Sequence, residues 1–459
     1  MNRSMHHALA GALGLVGLAA LASCGLAPAP DVVTLEVIGK RNAPADAAWV
    51  AVRDARGGWQ AALSSSPGSY IIPTDGEGRY ALAVGCASEP PTVTLLHGTA
   101  AEARTLTAKC EAAGEDTGCG HAPATSPVSP QAFLFSVDAT ALATGQRAFT
   151  YYHGSPLALD DGTGDIAVSL SRDDVLFFTA IAPEDPKRTG QPDPNGITAF
   201  HWDRASGVAP AIHIVGGGTD SNVRVPIDGL VTFTGAGTDD VTARATLKLP
   251  HEVRVPLGTA PSARLSYHGV PDDLALMVGE AATMLSATAT GPEGEGGGRR
   301  FLSAQTSLTS TASTPSLSVA LPQTGLSPVE RFSDGTLRWT AYHDPVAGAA
   351  LAYSITTTIG PSPAPVLVWR AIATPRWLSA NPLTRTGGTL DYRLPDLRGV
   401  SGVDGDWLIP PDATGTWELA ALGGHSSDGD PLDLATIMKG HGVEEAGAVL
   451  LRAGRKGSF

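Results

Sequence analysis

Asp160, Asp161 and Asp165, in the stretch LDDGTGD, carry the best-placed chemistry in this chain. A hard cation such as calcium takes six to eight oxygen ligands, and short Asp- and Gly-rich loops can supply them. The stretches GTDD (237–240), DGD (404–406) and SSDGDPLD (426–433) repeat the theme more weakly, and none has the EF-hand spacing. Asp and Gly are also what ordinary turns select. Calcium is therefore the one cofactor the sequence offers, and no other is expected.

Other chemistry leaves less trace. GHSSDG (424–429) lacks the G-x-S-x-G frame of a serine nucleophile elbow and has no following helix. Apart from the adjacent His6 and His7, the 12 histidines are scattered singly, so zinc would need the fold to gather distant ones. His153, His268 and His343 are the candidates, because each follows a tyrosine at the end of an expected strand. Of eight tryptophans, five fall at 339, 369, 377, 407 and 417. Trp339 and Trp369 sit among apolar neighbours in expected strands and read as core. Trp377 and Trp407 flank Pro-rich loops, where an indole can present its apolar face and N–H to a sugar ring. They are the candidate ligand-binding residues.

These residues must be positioned by strands, for the dominant pattern from residue 32 onward is period-two alternation broken by Gly, Pro, Asn and Asp. VTLEVIGK (33–40), RYALAVGC (79–86), QRAFTYYH (146–153) and APVLVWRAIA (364–373) are typical. Helix is nearly absent; DPLDLATIMKG (430–440) is the one expected amphipathic segment, opened by Asp-Pro and closed by Gly. The expected fold is all-β, with several β-sandwich modules of immunoglobulin-like or jelly-roll-like kind in tandem. A small sandwich over 32–110, a linker over 111–131, a second sandwich over 132–250 and a β-rich region over 251–459 follow from the breaks in periodicity. The first expected unit ends among three of the four cysteines, Cys86, Cys110 and Cys119. Their spacing matches no paired zinc pattern. Cys86 with Cys110 is the favoured disulfide because both end expected strands, with Cys110 to Cys119 as the alternative.

Composition narrows the partners. Against 31 basic side chains stand 45 acidic ones, a formal charge of −14. Such a body is repelled by nucleic acid, which is excluded as a partner.

The start of the chain carries the remaining signal. A short polar stretch with Arg3 leads into an apolar run from Ala8 to Ala20, too short for a comfortable membrane span. Leu21, Ala22, Ser23 and Cys24 then resemble the bacterial lipobox at all four positions. That resemblance to bacterial lipoproteins implies a signal peptide over 1–23, cleavage after Ser23, a diacylglyceryl group on the Cys24 thiol and a tether over 24–31. Each buried methylene of an acyl chain adds about 0.8 kcal/mol, so two or three chains hold a protein on a membrane. Gly25, where an aspartate would imply inner-membrane retention, implies the outer membrane in a cell with two. The expectation is an envelope protein, anchored by lipid, with a non-enzymatic binding or structural role toward an envelope protein or glycan. The alternative is a surface protein that binds or hydrolyses glycan with paired carboxylates, which would require a cleft beside Trp377 or Trp407.

Overall fold

A computed structural model describes residues 32–39, 44–54, 57–110, 131–138, 142–151, 156–159, 162–168, 174–206, 211–215, 223–237, 239–249, 253–271, 281–293, 298–308, 316–361, 364–379, 388–410, 412–438 and 447–459. Cys24, the lipobox, Cys119, His153, Asp160 and Asp161 lie outside them, as does most of the expected linker.

The chain is all-β, with several sheets and, among the described residues, two five-residue helices, Pro375–Ser379 and Leu434–Met438. The second falls inside the expected DPLDLATIMKG. The largest sheet has twelve strands. From edge to edge they are Arg254–Ala260, Asp240–Lys248, Ala282–Glu293, Arg299–Leu308, Val449–Ser458, Gly415–His425, Ala352–Ile359, Leu367–Ala373, Thr92–Thr99, Arg79–Cys86, Trp49–Arg53 and Trp59–Ala61. A four-stranded sheet packs on part of one face.

Burial explains the strand sequences. Val33–Ile38 alternates buried and half-exposed residues, as a strand with one face on a core should. It belongs to a four-stranded sheet whose Val33, Leu35, Val37, Leu106 and Ala108 pack on Val50, Leu82, Val84 and Leu96 of the large sheet. The opposite face of those same strands sends Trp49, Ala51, Ala83, Val93 and Leu95 into the main core. Arg79–Cys86 is therefore buried on both faces, which is why RYALAVGC reads as a nearly continuous apolar run. Gly85 in it is opposite Trp49, and a Cβ there would sit 2.2 Å from the indole Cε2. Only glycine lets that indole lie flat on the strand. Cys86 and Cys110 form a disulfide at the end of this unit.

Strand pairing joins regions far apart in sequence. Thr92–Thr99 pairs in parallel with Leu367–Ala373, in register from Thr92 opposite Val368 to His97 opposite Ala373. The Glu102 Oε2 reinforces the seam, accepting from the Thr99 hydroxyl at 2.9 Å and the Thr374 hydroxyl at 2.9 Å. Likewise Asp240–Lys248 and Arg254–Ala260 pair into the same sheet as the C-terminal strands. A protease site introduced between residues 111 and 130 is thus expected to nick the chain without separating it. The two pieces should co-elute in gel filtration and part only in denaturant; separation in plain buffer would refute the continuous sheet.

Candidate functional site

A cavity of about 950 Å³ opens beside the parallel seam. Six pieces of chain build it. The hairpin Trp49–Arg53 to Trp59–Ala61 brings Arg53 opposite Trp59 at the sheet edge. The seam itself contributes His97 from one strand and Trp369 from the other. The helix Pro375–Ser379, which starts directly after the seam strand, adds Trp377. The turn at Asp334 and Gly335 and the segments Arg393–Arg398 and Gly405–Pro410 supply the remaining lining groups.

The short helix is held by local chemistry. The Thr374 hydroxyl accepts from the Trp377 N–H at 3.2 Å while donating to Glu102. A Thr before Pro is a capping arrangement, with Pro at the first helical position where no N–H is needed. The result lays the Trp377 indole over the His97 ring, with centroids 4.3 Å apart and planes 30° from parallel. Trp377 and Trp59 remain half-buried, and Trp369 is buried, its Nε1 donating to the Trp407 carbonyl at 3.1 Å.

His97 is the innermost polar group. Its Nε2 lies 3.0 Å from the Tyr392 hydroxyl, whereas its Nδ1 is buried with no hydrogen-bond partner among the described residues. Burial, aided by the nearby Arg53 charge, lowers its pKa to about 3, so the ring is neutral at ordinary pH. Two carboxylates stand at the rim. Asp396 is pulled down to about 2 by hydrogen bonds from the Arg398 side chain and backbone. Asp334 is lowered by hydrogen bonds from Thr336, with Arg393 3.6 Å away adding to the effect. Both are ionised throughout the physiological range.

Of the two tryptophans expected to meet a ligand, Trp377 lines this cavity. Trp407 is half-buried and packs edge-on against Trp49 at 5.6 Å, joining the N-terminal hairpin to the Gly405–Trp407 turn. Trp339 is 1 % exposed and sits in the core. His268 and His343 are on different small sheets. Asp165 lies in the strand Gly162–Val168, paired with Leu134. Among the described residues no three His, Cys, Asp or Glu side chains are grouped to hold a metal ion. No described helix is long and apolar enough to cross a membrane.

Sequence reasoning missed Asp334, Arg393, Asp396 and Arg398, and with them three more, Arg53, Trp59 and His97. These last three belong to the first expected unit, and nothing in their local pattern shows that residues 369–410 pack against them. The nearest signal was the histidine in TVTLLHGT, a titratable residue in a strand whose last five positions are buried.

No family model matches the sequence, and no curated protein matches it. Among solved structures, the Bacillus anthracis TIE protein is similar over 63 % of this chain and 49 % of its own, at 9 % identity and a TM-score of 0.16. The match thus spans about half of that chain, and at so low an overlap it carries no argument about fold or function.

Proposed function

We propose that this protein is a lipid-anchored component of the bacterial cell envelope that binds a ligand without transforming it, in the cavity beneath Trp377. The cavity carries the reading: it is large enough for a small ligand, apolar on its indole walls and studded with a few polar groups, as ligand sites are. The state of its carboxylates supports binding over hydrolysis. A glycosidase needs one carboxylic acid kept protonated to donate to the leaving oxygen. Asp334 and Asp396 are both held ionised, which suits them to accept hydrogen bonds from hydroxyl groups.

A glycan is the favoured ligand class, because Trp59 and Trp377 present half-exposed indoles in the cavity wall. Such faces stack on the C–H faces of pyranose rings. Anchoring rests on the Leu21-Ala22-Ser23-Cys24 sequence and the acyl chains it implies. In detergent phase partitioning the wild-type protein should enter the detergent phase and Cys24→Ser the aqueous phase. Equal partitioning of the two, or acyl-chain labelling that survives the substitution, would remove the anchor.

A further inference from the structure

The polar lining of the cavity has an excess of one sign. Arg53, Arg393 and Arg398 face two aspartates, Asp334 and Asp396, while His97 is neutral. This cationic spot lies on a chain of net charge −14. The arginines are not equivalent. Arg398 is clamped by Asp396 through several hydrogen bonds. Arg393 is only loosely paired, 3.6 Å from Asp334. Arg53 has no carboxylate partner among the described residues, its Nε donating only to the Gly57 carbonyl at 3.3 Å.

A guanidinium with open donors beside aromatic walls is built to take a carboxylate or phosphate in a fork. Next to it sits the unpartnered Nδ1 of His97, a residue 2 % exposed. A buried polar atom without a partner is a standing cost, removed when a bound molecule supplies the missing group. Resting on the binding reading above, we infer that the cavity takes an acidic sugar, whose ring lies against Trp377 and Trp59 and whose carboxylate or phosphate is met by Arg53. Trp59 is opposite Arg53 in the strand register, so the stacking face and the charge come from one strand pair.

Binding of the full-length chain to four probes, followed by titration calorimetry, tests this. Trigalacturonate is compared with its methyl ester, and mannose 6-phosphate with mannose, so the two pairs separate carboxylate from phosphate. At least one acidic probe should bind about ten-fold more tightly than its uncharged twin, and raising salt from about 50 to 500 mM should erode that margin. Arg53→Gln should abolish the margin while sparing the uncharged twin. Asp334→Asn should tighten the acidic probe severalfold by releasing Arg393, a gain that a damaged fold cannot produce. Acidic and neutral probes bound equally, with both lost in Trp377→Ala, would overturn the acidic assignment and leave the cavity as a saccharide site. If no probe binds, or binding ignores Trp377→Ala, the acidic sugar and the saccharide site both fall.

Discussion

Removing the last eleven residues, 449–459, should leave a chain that does not fold. Val449–Ser458 is an interior strand of the large sheet, in register with Arg299–Leu308 on one side and Gly415–His425 on the other. Its Val449, Leu451 and Ala453 are in the main core. Each backbone hydrogen bond is worth a net of about 0.5–1.5 kcal/mol, and a buried group left unpaired costs about 1–3. Two ladders lost together, with the apolar burial, exceed the roughly 5–15 kcal/mol that holds a folded domain. Near-UV circular dichroism and cooperativity in urea report the result; a cooperative transition in the truncated chain would refute the central placement. Gly454→Val tests the same strand at full length. A Cβ at 454 would meet Phe301 at 2.4 Å and the Leu419 carbonyl at 2.6 Å, so the strand cannot seat without moving both neighbours.

Mild acid should destabilise the protein through His97. In the folded state its pKa is about 3, lowered by burial and then by Arg53, against about 6.5 for an unfolded histidine. Between those values the unfolded chain takes a proton that the folded one refuses. The stabilisation is complete above pH 6.5 and is lost as pH falls toward 3, by about 1.4 kcal/mol per unit. Urea unfolding at pH 6.5 and pH 5.0 should show wild type losing about 1.6 kcal/mol more than His97→Gln, in a range where the rim carboxylates stay ionised. Equal losses would mean that the imidazole is charged or solvated in the folded protein.

The all-β class was legible because alternation records burial directly: VTLEVI has Val33, Leu35 and Val37 inside. The continuous apolar run of RYALAVGC also held information, since a strand without alternation must be covered on both faces. What it could not name was the covering partner. Hydrophobic pattern fixes which face of a strand is dry and says nothing of which strand lies beside it. That is why Trp377 was visible and the polar groups around it were not. Trp377 stood out as an indole beside prolines, yet Arg53, which lines the same cavity from a strand beyond the seam, is an ordinary strand-end residue until the sheet order is known. Trp407 shows the converse, for its loop position concealed a contact with Trp49.

The parallel seam also sets a timetable. The His97–Tyr392 contact spans 295 positions and Glu102–Thr374 spans 272. A chain delivered amino end first, from a ribosome or through an export channel, presents Thr92–Thr99 long before Leu367–Ala373 exists. At about 5–20 residues per second the wait is roughly 15–50 s, with one edge of an apolar strand open to wrong partners. Such long-range closure is intrinsically slow. Rapid dilution from denaturant at high concentration should therefore favour aggregation over refolding, and a cell making this protein gains from keeping it unfolded until the whole chain has arrived.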